Sequence, residues 1–410
     1  MGFAERKLCL VWSIGFVLEA GGWYPPLRLN CCGWIGLVVV CVRARQALPI
    51  DNIALERKIL NCYCIVKLAK FCRGWGYFVG SWQINYCKGE SMKIAVVGAT
   101  GLVGESLCDI LARNMPNATL QLYGNKSVGK RVCYGAKWYT VLPTENILDS
   151  LPDVAMFMAN ESVAKQYVPQ LAKKGVTCID NSSYFRLQDG VPLVVPSING
   201  HTVGKSRIVA NPNCTTIQVA MALNCLKSLA PCRATVATYQ AVSGAGREGL
   251  ADLSENRSYG KLKAFPHPIV NNVLPLVGSL TQSGYTTEEI KMHNECAKIL
   301  DLDIDINCFC ARVPVTVGHS AFVNVQFERP FTMEQVARLL QKGCDILTFD
   351  NNLLPMPMGV RGSKYVGVGR LVRDQTSNGI NMFVVADNVL RGASYNAYEI
   401  LQCVLEGRYE

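Results

Sequence analysis

The chain has 410 residues, a formal net charge of +10 and 50% hydrophobic residues, with no internal repeat and no low-complexity segment. Residues 1–91 carry 11 Lys and Arg against 5 Asp and Glu, so they supply six of the ten positive charges. The remaining 319 residues suit two domains, and their weak charge does not indicate a nucleic-acid partner. We therefore expect neither nucleic-acid nor membrane binding.

The first 91 residues differ in composition from the rest, because they hold 8 of the 19 cysteines and 5 of the 6 tryptophans. Their two apolar patches, residues 8–18 and 31–42, are shorter than the roughly 18–20 residues that span a bilayer. Only three serines occur, which argues against a plastid transit peptide. We expect Met92 to be the natural start, residues 1–91 to be spurious upstream translation, and most of that stretch to lack a stable packed structure.

A dinucleotide-binding turn follows the first strand of the second part. The apolar run 93–97 leads into a glycine-rich turn and then an amphipathic stretch. Glycines at this position allow a tight turn and close backbone approach, and a pyrophosphate rests on the helix start. The candidate cofactor residues are Gly98, Thr100, Gly101, Leu102, Val103 and Gly104.

The loop after the second strand indicates which cofactor is bound. The strand at residues 119–123 runs into a loop that has no carboxylate to hold a ribose 2′-hydroxyl, as NAD sites usually do. Lys126 and Ser127 instead suit a 2′-phosphate. This pattern favours NADP over NAD, although the same loop could be an ordinary solvated basic loop.

Cys214 is the candidate nucleophile. The run 208–210 is typical of a short buried strand, and residues 217–223 are typical of a helix face, so Cys214 lies where a strand turns into a helix. Backbone N–H groups and the helix dipole there favour thiolate over thiol. A buried structural cysteine is the common alternative.

His319 is the candidate acid or base among four histidines, because it lies between a strand-like run ending in Gly318 and the alternating run 322–327. A histidine at such a junction can exchange protons near neutral pH. A packed or surface histidine is the usual alternative for an isolated case.

Several segments together resemble the aspartate-semialdehyde dehydrogenase family in order and spacing, and the resemblance covers residues 92–410. The matching segments are 98–104, 180–186, 192–196, 211–216, 239–246, 288–292, 312–319 and 386–393.

The resemblance implies NADPH-dependent reductive dephosphorylation of L-aspartyl 4-phosphate to L-aspartate 4-semialdehyde, in lysine, methionine and threonine biosynthesis. It implies that Cys214 attacks the acyl carbon and forms a thioester, that His319 moves the proton, and that Gln240 orients the reacting group. Residues 243 and 244, a serine and a glycine, and Asn388 match cofactor contacts of the family.

The resemblance also implies how the charged substrate is held. Arg312 matches the carboxylate-binding arginine, and Glu288 matches the partner of the substrate ammonium. The phosphate contacts correspond to Arg186, Lys291 and Asn213. Without the family, Glu288 and Lys291 would be taken as a surface pair on one helix face.

The sequence departs from the family at three places. After the strand at 154–157 the family usually has Ser-Ala-Gly-Gly, whereas positions 158–161 read Met, Ala, Asn and Glu. Two side chains, those of Asn160 and Glu161, therefore stand where backbone normally approaches the cofactor. Lys126 replaces the family's arginine, and Ala321 stands where glutamate is frequent.

The expected architecture is α/β: a Rossmann-type NADP-binding domain followed by an α+β catalytic and dimerisation domain. We place the first at residues 92–213, completed by a C-terminal helix in 388–410, and the second at 214–387. The family implies a homodimer or a dimer of dimers. The 11 cysteines from residue 92 onward show no metal-type spacing, so we expect a reduced cytoplasmic enzyme without a metal.

Three alternatives remain at this point. An N-acetyl-glutamyl-phosphate reductase would use the same chemistry, but an acetylated amine needs no partner such as Glu288. A glyceraldehyde-3-phosphate dehydrogenase-like enzyme shares Cys-Thr-Thr but would need an acidic residue for NAD. The substitutions at positions 160 and 161 would also suit a catalytically silent nucleotide-binding protein.

Overall fold

The structure is a computed structural model that describes residues 91–350 and 353–407, together with the backbone of three earlier strands. Those strands form one antiparallel sheet in chain order and belong to a separate unit, Met1–Ser91. The expectation that residues 1–91 lack a stable packed structure falls largely outside the described residues, and it stays a prediction. The strands are β1 (Trp34–Cys41), β2 (Tyr63–Phe71) and β3 (Gly80–Tyr86).

The second unit, Met92–Glu410, begins with a five-stranded parallel sheet in the order β10-β9-β8-β4-β5. Strands β8 and β10 and the interior of β4 are continuous apolar runs, as expected where helices cover both faces of a parallel sheet. The five strands are β4 (Lys93–Val97), β5 (Thr119–Tyr123), β8 (Val154–Phe157), β9 (Thr177–Asp180) and β10 (Ile208–Ala210).

A β-hairpin that the sequence analysis did not predict follows β5. Strands β6 (Arg131–Tyr134) and β7 (Lys137–Thr140) pair across the two-residue turn Gly135-Ala136. Both turn residues have positive φ, 55° and 64°, which is the backbone twist that two-residue hairpins favour. The glycine at the turn was the available signal.

The helices pack against the sheets, and the first turns of two of them carry Cys214 and Glu288. Among the residues that the structure describes, seven helices have nine residues or more: α1 (Leu102–Asn114), α2 (Glu161–Lys173), α3 (Cys214–Cys225), α4 (Gly246–Ser254), α5 (Thr287–Leu300), α6 (Met333–Gln341) and α7 (Tyr395–Glu406). Short helical turns occupy Thr144–Asn146, Ile147–Ser150, Pro196–Asn199, Gly200–Val203, Lys227–Leu229, Val242–Ala245, Pro357–Val360 and the π-helical Leu390–Ser394.

A six-stranded mixed sheet forms the rest of the unit, in the order β12-β11-β13-β16-β15-β14. Buried side chains of this sheet and of the parallel sheet belong to one hydrophobic cluster. The other face of the mixed sheet exposes aromatic side chains, among them Tyr239, Phe309 and Phe322. The strands are β11 (Pro231–Gln240), β12 (Asp305–Arg312), β13 (His319–Phe327), β14 (Ile346–Thr348), β15 (Val366–Arg373) and β16 (Gly379–Ala386).

The α/β fold class is confirmed, and two predicted elements are wrong in extent. The strand expected to run to residue 317 ends at Arg312, because the carbonyls of Val315 and Thr316 accept bonds from the Val242–Ala245 turn instead of a strand. The last helix, expected from residue 388, becomes α-helical only at Tyr395, after a π-helical turn. The proposed domain boundary at residue 213 stays a prediction.

Candidate active site

Cys214 is the first residue of α3 and follows β10 by a short loop. Asn213 caps the helix: its Oδ1 accepts the backbone N–H groups of Thr215 (2.8 Å) and Thr216 (3.3 Å). A Cβ on Gly392 would lie 2.9 Å from the Cβ of Cys214, so only glycine fits beside the nucleophile. The strand–helix junction predicted for Cys214 is therefore present.

The expectation that this position makes Cys214 a thiolate is wrong for the free chain. Burial, followed by the negative charge of Glu288, raises the pKa of the Cys214 thiol to about 11. Arg312 acts in the opposite direction but does not overcome these two effects. Near neutral pH the side chain is a thiol, so its proton has to leave before or during attack on a carbonyl.

Glu288 lies at the centre of a small polar cluster beside the nucleophile. Its Oε1 accepts the side-chain amides of Asn213 (2.9 Å) and Gln240 (3.2 Å). The amides come from the cap of α3 and the end of β11, while Glu288 comes from the first turn of α5. Asn213, Gln240 and Glu288, which were predicted from three separate segments, therefore meet at the carboxylate of Glu288.

Arg186, predicted as a phosphate contact, is already paired in the structure. Its Nη1 donates to Glu295 at 2.9 Å, and its Nη2 donates to the carbonyl of Asn181 at 2.8 Å. The other oxygen of Glu295 accepts the backbone N–H of Asn213 at 2.7 Å. Arg186 therefore supports the cap beside Cys214, and its contact with phosphate stays a prediction.

Arg312 and His319 lie together behind the turn that contains Gly244. The guanidinium of Arg312 donates to the carbonyl of Ala241 at 2.8 Å, and its Nε is buried without a partner. A Cβ on Gly244 would lie 2.7 Å from Nη1 of Arg312 and 3.1 Å from Nε2 of His319. The absence of a side chain at Gly244 lets both groups approach the cavity closely.

His319 is fully buried and is neutral near physiological pH. Burial, together with the positive charge of Arg312, holds the pKa of His319 well below its usual value. Its Nδ1 accepts the backbone N–H of Ala241 at 2.9 Å, so the neutral ring carries its proton on Nε2. Nε2 is buried without a hydrogen-bond partner. It is therefore a donor available to a reacting group.

These residues surround one cavity of about 460 Å³. His319 lies behind its wall, whereas the other predicted catalytic and substrate residues form the wall itself. The predicted residues lining it are Val103, Arg186, Asn213, Cys214, Gln240, Ser243, Gly244, Glu288, Lys291, Arg312 and Asn388.

The glycine-rich turn at residues 98–104, called the phosphate turn from here on, fits a bound dinucleotide. Gly98 has φ of +80°, and a Cβ there would collide with the carbonyl of Met158. A Cβ on Gly104 would collide with the carbonyl of Gly98. No side chain caps the start of α1, which leaves its first backbone N–H groups to an anionic ligand.

The loop predicted to hold the 2′-phosphate is tied to this turn. The hydroxyl of Thr100 donates to the hydroxyl of Ser127 at 2.9 Å, while Lys126 is exposed beside it. Across the cavity, Asn388 bonds the hydroxyl of Ser243 and accepts the backbone N–H of Gly318 at 2.9 Å. Asn388 thus holds the turn at residues 243–244 against the start of β13.

Comparison with known proteins agrees with this geometry. Residues 93–206 match the model of the semialdehyde dehydrogenase NAD-binding domain, and residues 225–391 match that of the semialdehyde dehydrogenase dimerisation domain. The aspartate-semialdehyde dehydrogenase of Aquifex aeolicus is 39% identical over 334 residues, covering 77% of this chain and 98% of that protein. The chain belongs to the aspartate-semialdehyde dehydrogenase family.

Further relatives extend the match. The aspartate-semialdehyde dehydrogenase of Bacillus subtilis is 35% identical and covers 77% of this chain and 97% of its own length. The crystal structure of aspartate semialdehyde dehydrogenase II of Vibrio cholerae complexed with ASA has a TM-score of 0.74 at 34% identity, covering 78% of this chain and 99% of that one. The resemblance stated from the sequence is confirmed, and the sister enzymes considered as alternatives are not favoured.

Two site residues of this family member were missed by sequence reasoning. Glu295 joins Arg186 to Asn213, yet in the sequence it is only one more acidic residue on a helix. Arg247, on α4, donates to the carbonyl of Thr100 at 3.2 Å and pairs with a carboxylate of α1. Both depend on contacts between segments far apart in the chain, which residue spacing does not reveal.

The structure also shows how Asn160 and Glu161, two of the residues at which the sequence departs from the family, are accommodated. Asn160 caps α2, its Oδ1 accepting from the backbone of Val163 at 3.2 Å and from the hydroxyl of Ser162 at 2.8 Å. Glu161 accepts the hydroxyl of Ser183 and lines the same cavity as Cys214. Within residues 91–350 and 353–407, no cluster of metal-ligating side chains occurs, and no helix is long and apolar enough to cross a membrane.

Proposed function

We propose that this chain is an aspartate-semialdehyde dehydrogenase that converts L-aspartyl 4-phosphate to L-aspartate 4-semialdehyde with NADPH. The chain is an NADP-dependent oxidoreductase that acts on an acyl phosphate. The convergence of Cys214, Glu288 and Arg312 on one cavity carries the proposal. A thiol beside one carboxylate and one guanidinium suits an acyl donor that also bears an ammonium and a carboxylate.

Substrate binding follows from charge. Arg312 binds the α-carboxylate through its planar guanidinium, and Glu288 binds the ammonium. Lys291, together with Asn213, lies in the wall where the phosphate leaves, and Arg186 stabilises that wall through Glu295. Aspartyl phosphate thereby satisfies three charged groups that share a cavity of about 460 Å³.

Binding of the ammonium also activates the nucleophile. Glu288 raises the pKa of the Cys214 thiol by disfavouring the thiolate. An ammonium at Glu288 cancels that repulsion, so the substrate lowers the pKa of the group that attacks it. Cys214 therefore stays unreactive until the ammonium of an amino-acid substrate is bound at Glu288.

The chemistry then proceeds on Cys214. Its sulfur attacks the acyl carbon, the thiol proton passes to the departing phosphate as the C–O bond to phosphate breaks, and a thioester remains. The nicotinamide cofactor, when bound, supplies the hydride that reduces the thioester. As the C–S bond breaks and the aldehyde forms, the sulfur leaves as a thiolate, Nε2–H of His319 donates a hydrogen bond to the developing charge, and the thiolate takes up a proton from solvent.

The residues of the phosphate turn and the adjacent loop hold the cofactor. Gly98, Gly101 and Gly104 let the backbone approach the pyrophosphate, and Lys126 with Ser127 binds the 2′-phosphate. We further propose a homodimer assembled through the dimerisation domain, or a dimer of dimers, in the cytoplasm. The open aromatic face of the mixed sheet is consistent with a subunit interface.

The reverse reaction tests the function directly. The full chain is mixed with L-aspartate 4-semialdehyde, phosphate and either NADP or NAD, and absorbance of the reduced cofactor is followed. We expect reduction of NADP that depends on phosphate, because phosphate must release the acyl group from Cys214. Reduction that is independent of phosphate, or absent from the folded chain, would contradict the proposal.

A further inference from the structure

The order of strands in the parallel sheet determines the order of loops along its carboxyl edge. Read from one side, the edge presents the loops that follow β5, β4, β8, β9 and β10. In an open α/β sheet a dinucleotide lies across this edge. The loop after β5 holds Lys126, the loop after β4 is the phosphate turn, and the loop after β10 ends at Cys214.

Glu161 follows β8 and therefore lies between the phosphate turn and the nucleophile. Residues Val97 and Phe157 pair at the ends of β4 and β8, and the backbone at Met158 touches Gly98. The nicotinamide half of the cofactor must extend from the phosphate turn toward Cys214 for hydride to reach the acyl carbon. Its ribose therefore passes the start of α2.

The side chain of Glu161 is placed to receive hydrogen bonds there. It is exposed in the cavity wall, and Ser183, after β9, donates its hydroxyl to Oε1. No cation pairs with it among the residues that the structure describes. A carboxylate has about four acceptor positions, so the bond from Ser183 leaves most of them for a ligand. The neighbouring Asn160 uses its carbonyl oxygen to cap α2 and does not compete.

We propose that Glu161 is a specificity-determining residue that accepts hydrogen bonds from the hydroxyls of the nicotinamide ribose. This inference rests on the proposed use of NADP. Carboxylates suit the paired hydroxyls of a ribose, as in the adenosine subsite of NAD enzymes. The hydroxyl of Ser183 orients the carboxylate of Glu161.

Two ligands test this role by direct binding. Calorimetry measures the Kd of NADP and of adenosine 2′,5′-bisphosphate, which lacks the nicotinamide ribose, for the wild-type chain and for Glu161→Gln and Glu161→Ala. We expect both variants to bind NADP about tenfold more weakly, through loss of charge-assisted bonds, and the bisphosphate as well as wild type does. Ser183→Ala should weaken NADP binding in the same direction by a smaller factor.

A matched control separates this role from simple helix stabilisation. Glu334 occupies the first turn of α6, as Glu161 does in α2, and does not line the cavity. Glu334→Gln should leave both Kd values unchanged. Unchanged NADP binding in both Glu161 variants, or equal weakening of the two ligands, would overturn the proposal. If the wild-type chain bound neither ligand, the NADP assignment itself would fail, and this role with it.

Discussion

Helices α2 and α3 have the same kind of N-terminal cap but differ in the chemistry and burial of the first side chain. Each follows a strand of the same parallel sheet, and each is capped by an asparagine, Asn160 or Asn213, whose side chain accepts backbone N–H groups. The next residue is an exposed carboxylate in α2 and a half-buried thiol in α3. Local sequence therefore determines where a helix starts, whereas the surrounding residues determine which charge its first side chain carries.

The comparison has a physical cause. The partial positive charge at a helix start stabilises an anion by only about 0.3–1 kcal/mol at an exposed position. Glu161 is exposed in the cavity wall, and no cation pairs with it among the described residues. At Cys214, burial and Glu288 outweigh it and raise the pKa of the thiol to about 11. The position at a helix start is therefore not enough to make the thiol of Cys214 an anion.

Removing the nucleophile should give the largest effect. Cys214→Ser should lower the rate of aldehyde oxidation by roughly 10³-fold or more, because the hydroxyl is a far weaker nucleophile than the thiolate. The Kd of NADP should not change. Cys225→Ser, at the other end of the same helix, is the matched control and should keep its activity. Near-wild-type activity in Cys214→Ser would rule out a thioester.

Changing Glu288 tests the origin of the raised thiol pKa. Glu288→Gln should lower the pKa of Cys214, because the negative charge that disfavours the thiolate is gone. Alkylation of Cys214 by iodoacetamide at pH 8, followed by mass spectrometry of its peptide, should become about threefold faster for each unit that the pKa falls, because the gain in thiolate outweighs its lower nucleophilicity. At the same time kcat/KM should decrease, since the ammonium loses its partner.

The control for that experiment is Glu328→Gln. Glu328 follows the last residue of β13, at the end of the strand opposite to His319, and is exposed. Its loss should change neither alkylation nor turnover. If Glu288→Gln alkylated at the wild-type rate, burial alone would explain the thiol pKa, and activation by the substrate ammonium would have to be abandoned.

The two caps provide a direct test of the comparison. Asn160→Ala and Asn213→Ala should each lower the free energy of unfolding by about 0.5–2 kcal/mol, measured by urea denaturation. Only Asn213→Ala should also lower kcat, because Asn213 additionally holds Glu288 beside the nucleophile. A comparable loss of kcat in both variants would mean that the caps act on catalysis through stability alone.

The smallest effect concerns pH. Because burial keeps His319 neutral in the folded chain, its unfolded state binds more protons below about pH 6.5, and stability falls as pH decreases through that value. Between pH 7 and pH 6, the contribution of His319 to the free energy of unfolding should decrease by about 0.7 kcal/mol. It is measured as the difference between wild type and His319→Asn. Glu161→Gln should show the same pH dependence of stability as wild type between pH 7 and pH 6. If His319→Asn also kept the wild-type pH dependence, the neutral state assigned to His319 would be contradicted.

Much of the fold follows from the sequence. Strands β4, β5, β8 and β10 have the predicted bounds, because their buried apolar residues stand between polar or turn-forming segments. The hairpin of β6 and β7 and the strands after residue 345 were not predicted. Their side chains alternate weakly or are interrupted by glycine, so their pairing depends on partners distant in the chain.

The sequence by itself determined the family, the phosphate turn and the position of Cys214 at a helix start, because these depend on short segments with their own local geometry. Only the tertiary structure decided the protonation of Cys214 and His319, the pairing of Arg186 with Glu295, and the place of Glu161 in the wall of the cavity that Cys214 lines. Burial and charge are properties of a three-dimensional surrounding. Contacts between different elements of the fold, such as that of Arg186 with Glu295, create them, and no local pattern records such contacts.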